Sequence, residues 1–321
     1  MGYGIGGFLG LAKQNSFGTA TTAAGSFEYL PIISESISTN IEELLEESIQ
    51  RRYDEGDSHE GLQSVSGDVV FEPHPLVFGR FLQGVLGQCS STLVGSVYTH
   101  VFEGRHADFD TNCALPPYTF QVHRDNGQSW QMTDVVVNNL SMELAAGGML
   151  RATANVMGRV SSLMAAPTPT FADDKPWKWY QGSFSLAGAA NSDLENITFN
   201  IENGVEGVAF VDTQKVHGKL KRTGYRNLGI SGGLDFSVQS EYMKFRASSE
   251  QPLALTLTGD TITTSQTNLV TISAGKFRYT SFPTGLSGPG RVSVSFEGKA
   301  KYHSGSASAL RVTLVNTHAP Y

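Results

Sequence analysis

The residues best placed to do chemistry are one serine and one run of glycines. Ser231 lies in Gly229-Ile-Ser-Gly-Gly233, which fits the G-x-S-x-G pattern around a hydrolase nucleophile. That nucleophile needs a turn from a strand into a helix, whereas this segment leads into the strand-like Leu234-Asp-Phe-Ser-Val238. Gly2–Gly7 fits the G-x-G-x-x-G pattern of a dinucleotide site, but that site needs a preceding strand. We therefore expect neither a catalytic serine nor a nucleotide cofactor.

Metal ligands are also poorly supported by the spacing of acidic, histidine and cysteine residues. Asp108-Phe-Asp-Thr-Asn112 begins like a calcium loop, but Cys113 stands where glycine is needed and no glutamate closes the loop. The histidines lack the H-x-x-x-H spacing of a zinc site. Cys89 and Cys113 are expected to be reduced thiols, as in proteins made in a cytoplasm. The sequence thus predicts no metal, no cofactor and no enzyme activity.

Composition favours an all-β protein that does not hold DNA. The 321 residues suffice for one large or two medium domains, 40% are hydrophobic, 17% are charged and 35 are glycine. The net charge of −7 argues against binding phosphate, which needs a basic surface. We see no basic, signal-like N-terminal region and no apolar stretch of transmembrane length. We therefore expect the protein to be made and assembled in a cytoplasm, without a membrane partner.

Hydrophobic periodicity divides the chain into two domains. Residues 1–26 are predicted to form an extended N-terminal arm, 27–162 a first domain, 163–176 a proline-containing linker and 177–321 a second domain. Alternating residues predict strands at 37–41, 67–71, 140–144 and 152–156. Pro75–Leu86 is predicted to be a short helix, and 88–117 to be irregular. In the linker region, Trp177 and Trp179 are expected to anchor the chain on a domain.

The second half repeats patterns of the first half in the same order. The matched segments are Ile37–Glu42 with Ile197–Glu202, Ser66–Phe71 with Ser231–Phe236, the candidate helix with Ser240–Ala247, and Arg151–Arg159 with Arg291–Lys299. Each match alone is weak, but ordered self-similarity indicates an internal duplication.

Two loops at matching positions of the halves carry opposite charge. Residues 42–61 hold eight carboxylates and two arginines, a net −6, whereas residues 202–226 hold three carboxylates and five cations, a net +2. Both can be solvated surface. The alternative is complementary contact between subunits, made by Glu42, Glu43, Glu46, Glu47, Arg51, Arg52, Lys215, Lys219, Lys221, Arg222 and Arg226.

Three passages give the chain a resemblance to the tail-tube (major tail) proteins of long-tailed phages. They are Gly7–Ala20 with Leu30–Ser36, Ser66–Phe71 running into the candidate helix, and Tyr118–Val122 leading to Val136–Leu144 and Arg151–Gly158. The resemblance covers essentially the whole chain and carries no catalytic residue.

The resemblance implies an all-β fold, a β-sandwich with a short flanking helix. Such domains join edge to edge into rings that enclose a β-barrel, and the rings stack into the virion's tail tube, which conducts DNA without specific binding. It also implies self-assembly and contact with tape-measure and tail-end proteins. The family commonly has one domain and six chains per ring, so a duplicated chain predicts three chains per ring.

An amphipathic strand needs water on its polar face. The residues predicted to line the bore are therefore Ser141, Glu143, Thr153, Asn155, Thr198, Asn200, Ser293 and Ser295. Two alternatives to the three-chain ring remain open. One is a six-chain ring whose second domain decorates the outside, and the other is a carbohydrate-binding tail module.

Overall fold

A computed structural model describes residues 3–235, 239–285 and 293–321. The strands of the first half are β1 Phe8–Lys13, β2 Glu28–Leu30, β3 Ser34–Glu35, β4 Ser38–Leu45, β5 Ser58–Phe71, β6 Gly87–Val94, β7 Val97–Gly104, β8 Tyr118–His123, β9 Gln128–Ala145, β10 Arg151–Gly158 and β11 Val160–Ala165. Those of the second half are β12 Gly182–Leu186, β13 Ala189–Ala190, β14 Leu194–Glu202, β15 Val205–Val208, β16 Lys219–Arg222, β17 Asn227–Asp235, β18 Gln251–Thr263, β19 Gln266–Ser281, β20 Ser293–Ala300 and β21 Arg311–Asn316. The helices are α1, Phe78–Leu86, and α2, Ser240–Arg246.

One antiparallel sheet runs through both halves of the chain, and we call it the joined sheet. Its eight strands lie in the order β4-β5-β10-β9-β14-β17-β20-β19. The two halves meet where β9 pairs with β14, from Asn196↔Ala145 to Glu202↔Asn139. Each half therefore contributes four neighbouring strands to one continuous surface.

The same pairing pattern occurs in both halves. In the first half, the first residues of β9 lie outside the joined sheet, between β8 and β11. Strand β8 in turn pairs with β1, and β1 pairs with β2. In the second half, β19 likewise lies between β18 and β21, while β18 pairs with β12 and β12 with β13. The matched sequence segments therefore fall on strands that hold matching places in the two halves, in the same order. Phe236 and Arg291, which belong to these segments, lie outside the described residues.

Each half packs a flanking sheet against the joined sheet, and the apolar faces meet between them. Buried side chains from both halves belong to a single hydrophobic cluster, including Phe120 and Met142 from the first half and Phe199 and Phe296 from the second. The hairpin β6–β7 crosses between halves, because β7 pairs with β21 from Arg311↔Glu103 to Asn316↔Tyr98. The two halves are therefore packed and hydrogen-bonded as one body.

Helix α1 lies where the sequence places it. Phe78, Phe81, Leu82 and Val85 are fully buried, because apolar residues spaced three and four apart share one helix face. Gly87 follows with φ of 88°, a left-handed conformation that glycine adopts at low cost, and its N–H bonds to the Gln83 carbonyl. The predicted second helix is also present as α2.

Two predictions about the first half are wrong. Residues 1–26 do not form only an extended arm, since Phe8–Lys13 is strand β1, whose residues 8–12 are all buried. A strand covered on both faces shows no apolar–polar alternation, so the sequence pattern does not indicate β1. The region 88–117 is not irregular throughout, because it contains most of β6 and all of β7.

The linker prediction describes the chain only in part. Strand β11 occupies its first residues, to Ala165. Residues 166–176 contain no strand, and Phe171 makes a single bridge to Tyr29. Trp177 is 1% exposed and packs edge-on against Phe78, with ring centroids 6.2 Å apart, whereas Trp179 is half exposed. Trp177 is therefore the anchor of this segment.

Candidate lumen face and assembly edges

The polar residues of the amphipathic strands lie together on the open face of the joined sheet. Cross-strand pairing places Thr153, Ser141 and Asn200 side by side, and likewise Glu143 beside Thr198. Ser293 and Ser295 continue this face on β20, opposite Asp235 and Gly233 of β17. None of the eight residues predicted to line the bore is in the core. Their neighbours along each strand, such as Met142 and Phe199, point the other way and are buried.

Asparagine amides hold two carboxylates on this face. Asn155 donates to Asp68 across β10 and β5, with Nδ2 and Oδ1 2.8 Å apart. Asn200 and Asn227 both donate to Glu202, at 2.8 and 3.0 Å. These bonds hold the carboxylates of Asp68 and Glu202 against the sheet.

The open face carries a small negative charge. On β9, β10, β14, β17 and β20 and the adjoining residues of β5 and β19, the open face holds five carboxylates, Asp68, Glu143, Glu202, Asp235 and Glu297, and three cations, Arg151, Arg278 and Lys299. Their formal charge is −2, before the acidic hairpin of β4 and β5 is added. Arg151 pairs with Glu143, whereas Arg278 and Lys299 pair with each other at the β19 end of the sheet. Three cations against five carboxylates do not make the basic stripe that holds a phosphate backbone.

The joined sheet has an edge at each end. Strand β4 pairs with β5 on one side, and within the described residues no strand pairs with its other side. At the far end, Arg278–Ser281 of β19 pairs with β20, and within the same residues its other side also has no strand partner. Exposed backbone donors and acceptors of this kind are ready to pair with another chain.

Strands β4 and β5 extend into a protruding hairpin. All eight residues of β4 are exposed. The acidic residues predicted for subunit contact, Glu42, Glu43, Glu46 and Glu47, and the arginines 51 and 52 lie on this hairpin and its tip. His59 lies 3.3 Å from Glu46, measured between Nε2 and Oε1.

The basic residues of the second loop divide between the surface and internal contacts. Lys215 pairs with Glu60 of the same chain at 2.7 Å, and Lys221 pairs with Asp108 at 2.7 Å. Lys219 lies over the Phe210 ring, 5.6 Å from its centroid. The two loops of opposite charge therefore already meet once within the chain, at Lys215.

The arginines of this loop are partly buried. Arg226 donates through Nε to Asn203 Oδ1 at 2.9 Å and through Nη2 to the carbonyls of Leu86 and Arg105, each at 3.3 Å. Burial, with a contribution from Arg222, lowers the pKa of Arg226 to about 10. Its contacts tie the end of α1 to the second half. Burial also lowers the pKa of Arg222.

The motifs that suggested chemistry have structural roles instead. Ser231 lies inside β17, between Thr198 and Glu297, and not at a turn into a helix. Asp110 Oδ1 accepts from the backbone N–H groups of Asn112 and Cys113, both at 2.7 Å, and so closes a turn. Within residues 3–235, 239–285 and 293–321, no three His, Cys, Asp or Glu side chains group as metal ligands.

Both cysteines are free thiols in the described structure. Burial raises the pKa of Cys113 to about 12, although its thiol donates to the Leu115 carbonyl at 3.0 Å. Burial also raises the pKa of Cys89. These protonated thiols are packing groups.

The unpaired edge of β19 was not identified from the sequence. The match between β9 and β19 could have indicated this edge. Since β9 uses the corresponding edge to pair with β14, the same edge of β19 should also be able to take a strand partner. Among the described residues no helix is long and apolar enough to cross a membrane.

Comparison with known proteins agrees with the resemblance drawn from the sequence. A family model described as phage tail tube protein matches residues 4–300. A search of curated proteins found no match. With nearly the whole chain matched, the protein belongs to the phage tail tube protein family and is a structural, non-enzymatic component of the virion's tail tube.

Proposed function

We propose that three chains form each ring of the tube, with the two halves of each chain acting as two copies of one tail-tube domain. The observation that carries this proposal is the β9–β14 junction, which joins four strands of one half to four of the other edge to edge. A neighbouring chain can repeat that junction by pairing its β4 with the free edge of β19, because β4 and β14 hold matching positions in the two halves.

The size of the resulting barrel supports three chains. Eight strands per chain give 24 strands, spaced about 4.8 Å apart and tilted by roughly 45°. The circumference is then about 160 Å and the backbone diameter about 50 Å, which leaves room for a DNA duplex after side chains are added. Six such chains in one barrel would double that diameter.

The open face of the joined sheet is the proposed lumen lining. Its small polar residues and its excess of carboxylates over cations offer no grip on phosphate, so DNA can pass without specific binding. In this proposal β14, β17 and β20 line the bore beside β5, β9 and β10. The six-chain alternative, in which the second domain lies outside, is less well supported because one sheet contains strands of both halves.

We also propose that the acidic hairpin contacts basic side chains of a neighbouring chain. Within the described residues Glu42, Glu43 and Glu47 have no ion-pair partner. Lys219, Lys221 and Arg222 are the proposed counterparts, and tape-measure and tail-end proteins are the further partners expected during assembly.

Native mass spectrometry of isolated rings tests the ring count. With a chain mass of 34.6 kDa, three chains give about 104 kDa and six give about 208 kDa. A ring of six chains with residues 180–315 outside the barrel in a reconstruction would refute the proposal.

A further inference from the structure

One side of strand β11 has no strand partner, and we call this side the β11 edge. Strand β11 pairs with β9 from Val160↔Thr133 to Ala165↔Gln128, and within the described residues no strand pairs with its other side. None of its six residues is buried, and the side chain of Leu163 is 59% exposed. The backbone donors and acceptors of the β11 edge are therefore available to a strand from another molecule.

The matching strand of the second half shows what kind of partner such an edge takes. Strand β21 holds the same place beside β19 that β11 holds beside β9. The other side of β21 is covered along its length by the antiparallel strand β7. Alternate residues of β21, namely Val312, Leu314 and Asn316, are buried, whereas no residue of β11 is. An antiparallel strand like β7 is therefore what the β11 edge lacks.

The hairpin that covers β21 has no counterpart at the matching place of the second half. Helix α1 and β8 are separated by residues 87–117, which contain β6 and β7. The matching helix and strand, α2 and β18, are separated by residues 247–250 alone, all of which the structure describes. In the proposed ring, β7 covers β21 at the junction inside each chain. At the junction between chains, the preceding chain has no hairpin to lay on the β11 edge.

The sequence of β11 does nothing to protect this edge. Edge strands of soluble proteins are commonly protected by charged residues, by proline or by a bulge. Strand β11 reads Val-Ser-Ser-Leu-Met-Ala, and its pairing with β9 runs without a shift of register. An uncharged, regular edge of this kind suits a partner strand that carries apolar residues at alternate positions.

We propose that the β11 edge accepts a strand from a separate protein that binds the outside of the tube. This inference rests on the proposed three-chain ring, which leaves one β11 edge open per chain. The flanking sheets lie on the side of the joined sheet away from the proposed lumen, so the edge lies in the outer wall. The partner strand runs antiparallel to Val160–Ala165, as β7 runs to β21. Its backbone supplies affinity, and Leu163 offers an apolar contact to its side chains.

A synthetic peptide with the sequence of the β6–β7 hairpin tests the β11 edge, because β7 already makes the matching contact with β21. The peptide spans Gly87–Gly104 with the change Cys89→Ser and carries a fluorophore. We expect it to bind isolated chains and to sediment with assembled tubes, and to saturate at one peptide per chain. Hydrogen–deuterium exchange should slow in residues 160–165 and stay unchanged in residues 311–316, which β7 already covers.

A charge placed on the β11 edge should block the peptide. We expect Leu163→Lys to weaken peptide binding at least tenfold without changing the thermal melting temperature, because Leu163 is mostly exposed. Thr258→Lys is the matched control, since Thr258 is an exposed residue on another flanking strand. It should bind the peptide as the wild type does.

Three results would overturn the proposal. They are absence of peptide binding, slowed exchange outside residues 160–165, and equal binding by wild type and Leu163→Lys. Binding to isolated chains but not to tubes would also overturn it, since a neighbouring chain would then cover the β11 edge. Rings of six chains in native mass spectrometry would contradict the proposed function instead, and peptide binding to the isolated chain is measured independently of that mass.

Discussion

At the scale of single residues, burial fixes the ionisation of several groups in the core. Cys113 is fully buried and its pKa is raised from 9.0 to about 12. Burial also raises the pKa of Tyr118, which is fully buried. In the unfolded chain these groups would lose their protons at lower pH than in the folded chain. Alkaline pH should therefore favour unfolding.

The stability contributed by the Cys113 thiol is complete below about pH 9 and falls as the pH rises toward 12. We expect the urea midpoint of the wild type to fall between pH 8 and pH 10. Cys113→Ala should be less stable at pH 8, because a packed sulfur is lost, but should fall less steeply over this interval. If the urea midpoints of the two proteins fell equally with pH, ionisation of the Cys113 thiol would not be linked to unfolding.

Gly79 tests a close contact between α1 and the final residue. A Cβ built at Gly79 would overlap the Tyr321 ring, whose OH donates to the Leu76 carbonyl at 2.9 Å. Alanine normally stabilises a helix relative to glycine, but here overpacking should cost about 1–3 kcal/mol. Gly25→Ala is the control, because nothing lies within 4 Å of its Cβ. In thermal melts, G79A should be harmful in the wild type and harmless in a Tyr321→Ala background.

At the scale of elements, the alternation of apolar and polar residues predicted the strands that have one solvent-exposed face. It missed the strands that do not. Thr153 and Asn155 alternate with buried alanines, so β10 could be read from the sequence. Strand β1 is buried throughout and carries a glycine, and β6 is mostly exposed, so neither shows the alternating pattern. Strand β7 pairs with β21, more than 200 residues away. Strand β7 also forms a hairpin with β6, closed by Gly95 and Ser96, so the register with β21 left no local signal but the hairpin with β6 did.

The candidate site was predictable to a similar extent. The polar face of each strand followed from its residues, but the register that sets Thr198 beside Glu143 is a pairing between the two halves. No local pattern specifies it. The charge on the loops was evident from the sequence, whereas the internal contacts of Lys215 and Arg226 depend on how the second loop folds back.

Charge reversal tests the proposed contact between the loops of neighbouring chains. Lys219, Lys221 and Arg222 changed together to Glu should weaken assembly, and high salt should weaken assembly of the wild type, since exposed pairs contribute only about 0–1 kcal/mol each and are screened. Lys219→Glu alone spares the internal Lys221–Asp108 pair. Lys215→Glu is the comparison, because it opposes Glu60 in the same chain. Sedimentation that detects no change for any variant or salt concentration would leave these loops as solvated surface.

At the scale of the whole molecule, the chain presents one continuous sheet with two unlike edges, which the proposed ring would join into a barrel wall. Its two halves share one core and one continuous sheet, so the β9–β14 junction is rigid before any assembly occurs. In the proposed ring, the β4 and β19 edges are the two that pair between chains. A ring built this way has half as many junctions to form as one built from six separate domains, and this reduces the entropy lost on assembly.

Labelling of the bore distinguishes the three-chain ring from the six-chain alternative. Thr153 of the first half and Thr198 of the second lie on the open face of the joined sheet, on strands either side of β9. In tubes of three-chain rings, Thr153→Cys and Thr198→Cys should both react with a small maleimide and both resist a maleimide attached to a protein too wide for the bore. Thr258→Cys serves as the control, because Thr258 is exposed on a flanking strand and should react with both reagents. If the second half instead decorates the outside, Thr198→Cys will react with the bulky reagent while Thr153→Cys stays protected. Since both variants sit on one sheet in the isolated chain, unequal protection would also mean that β14 separates from β9 during assembly.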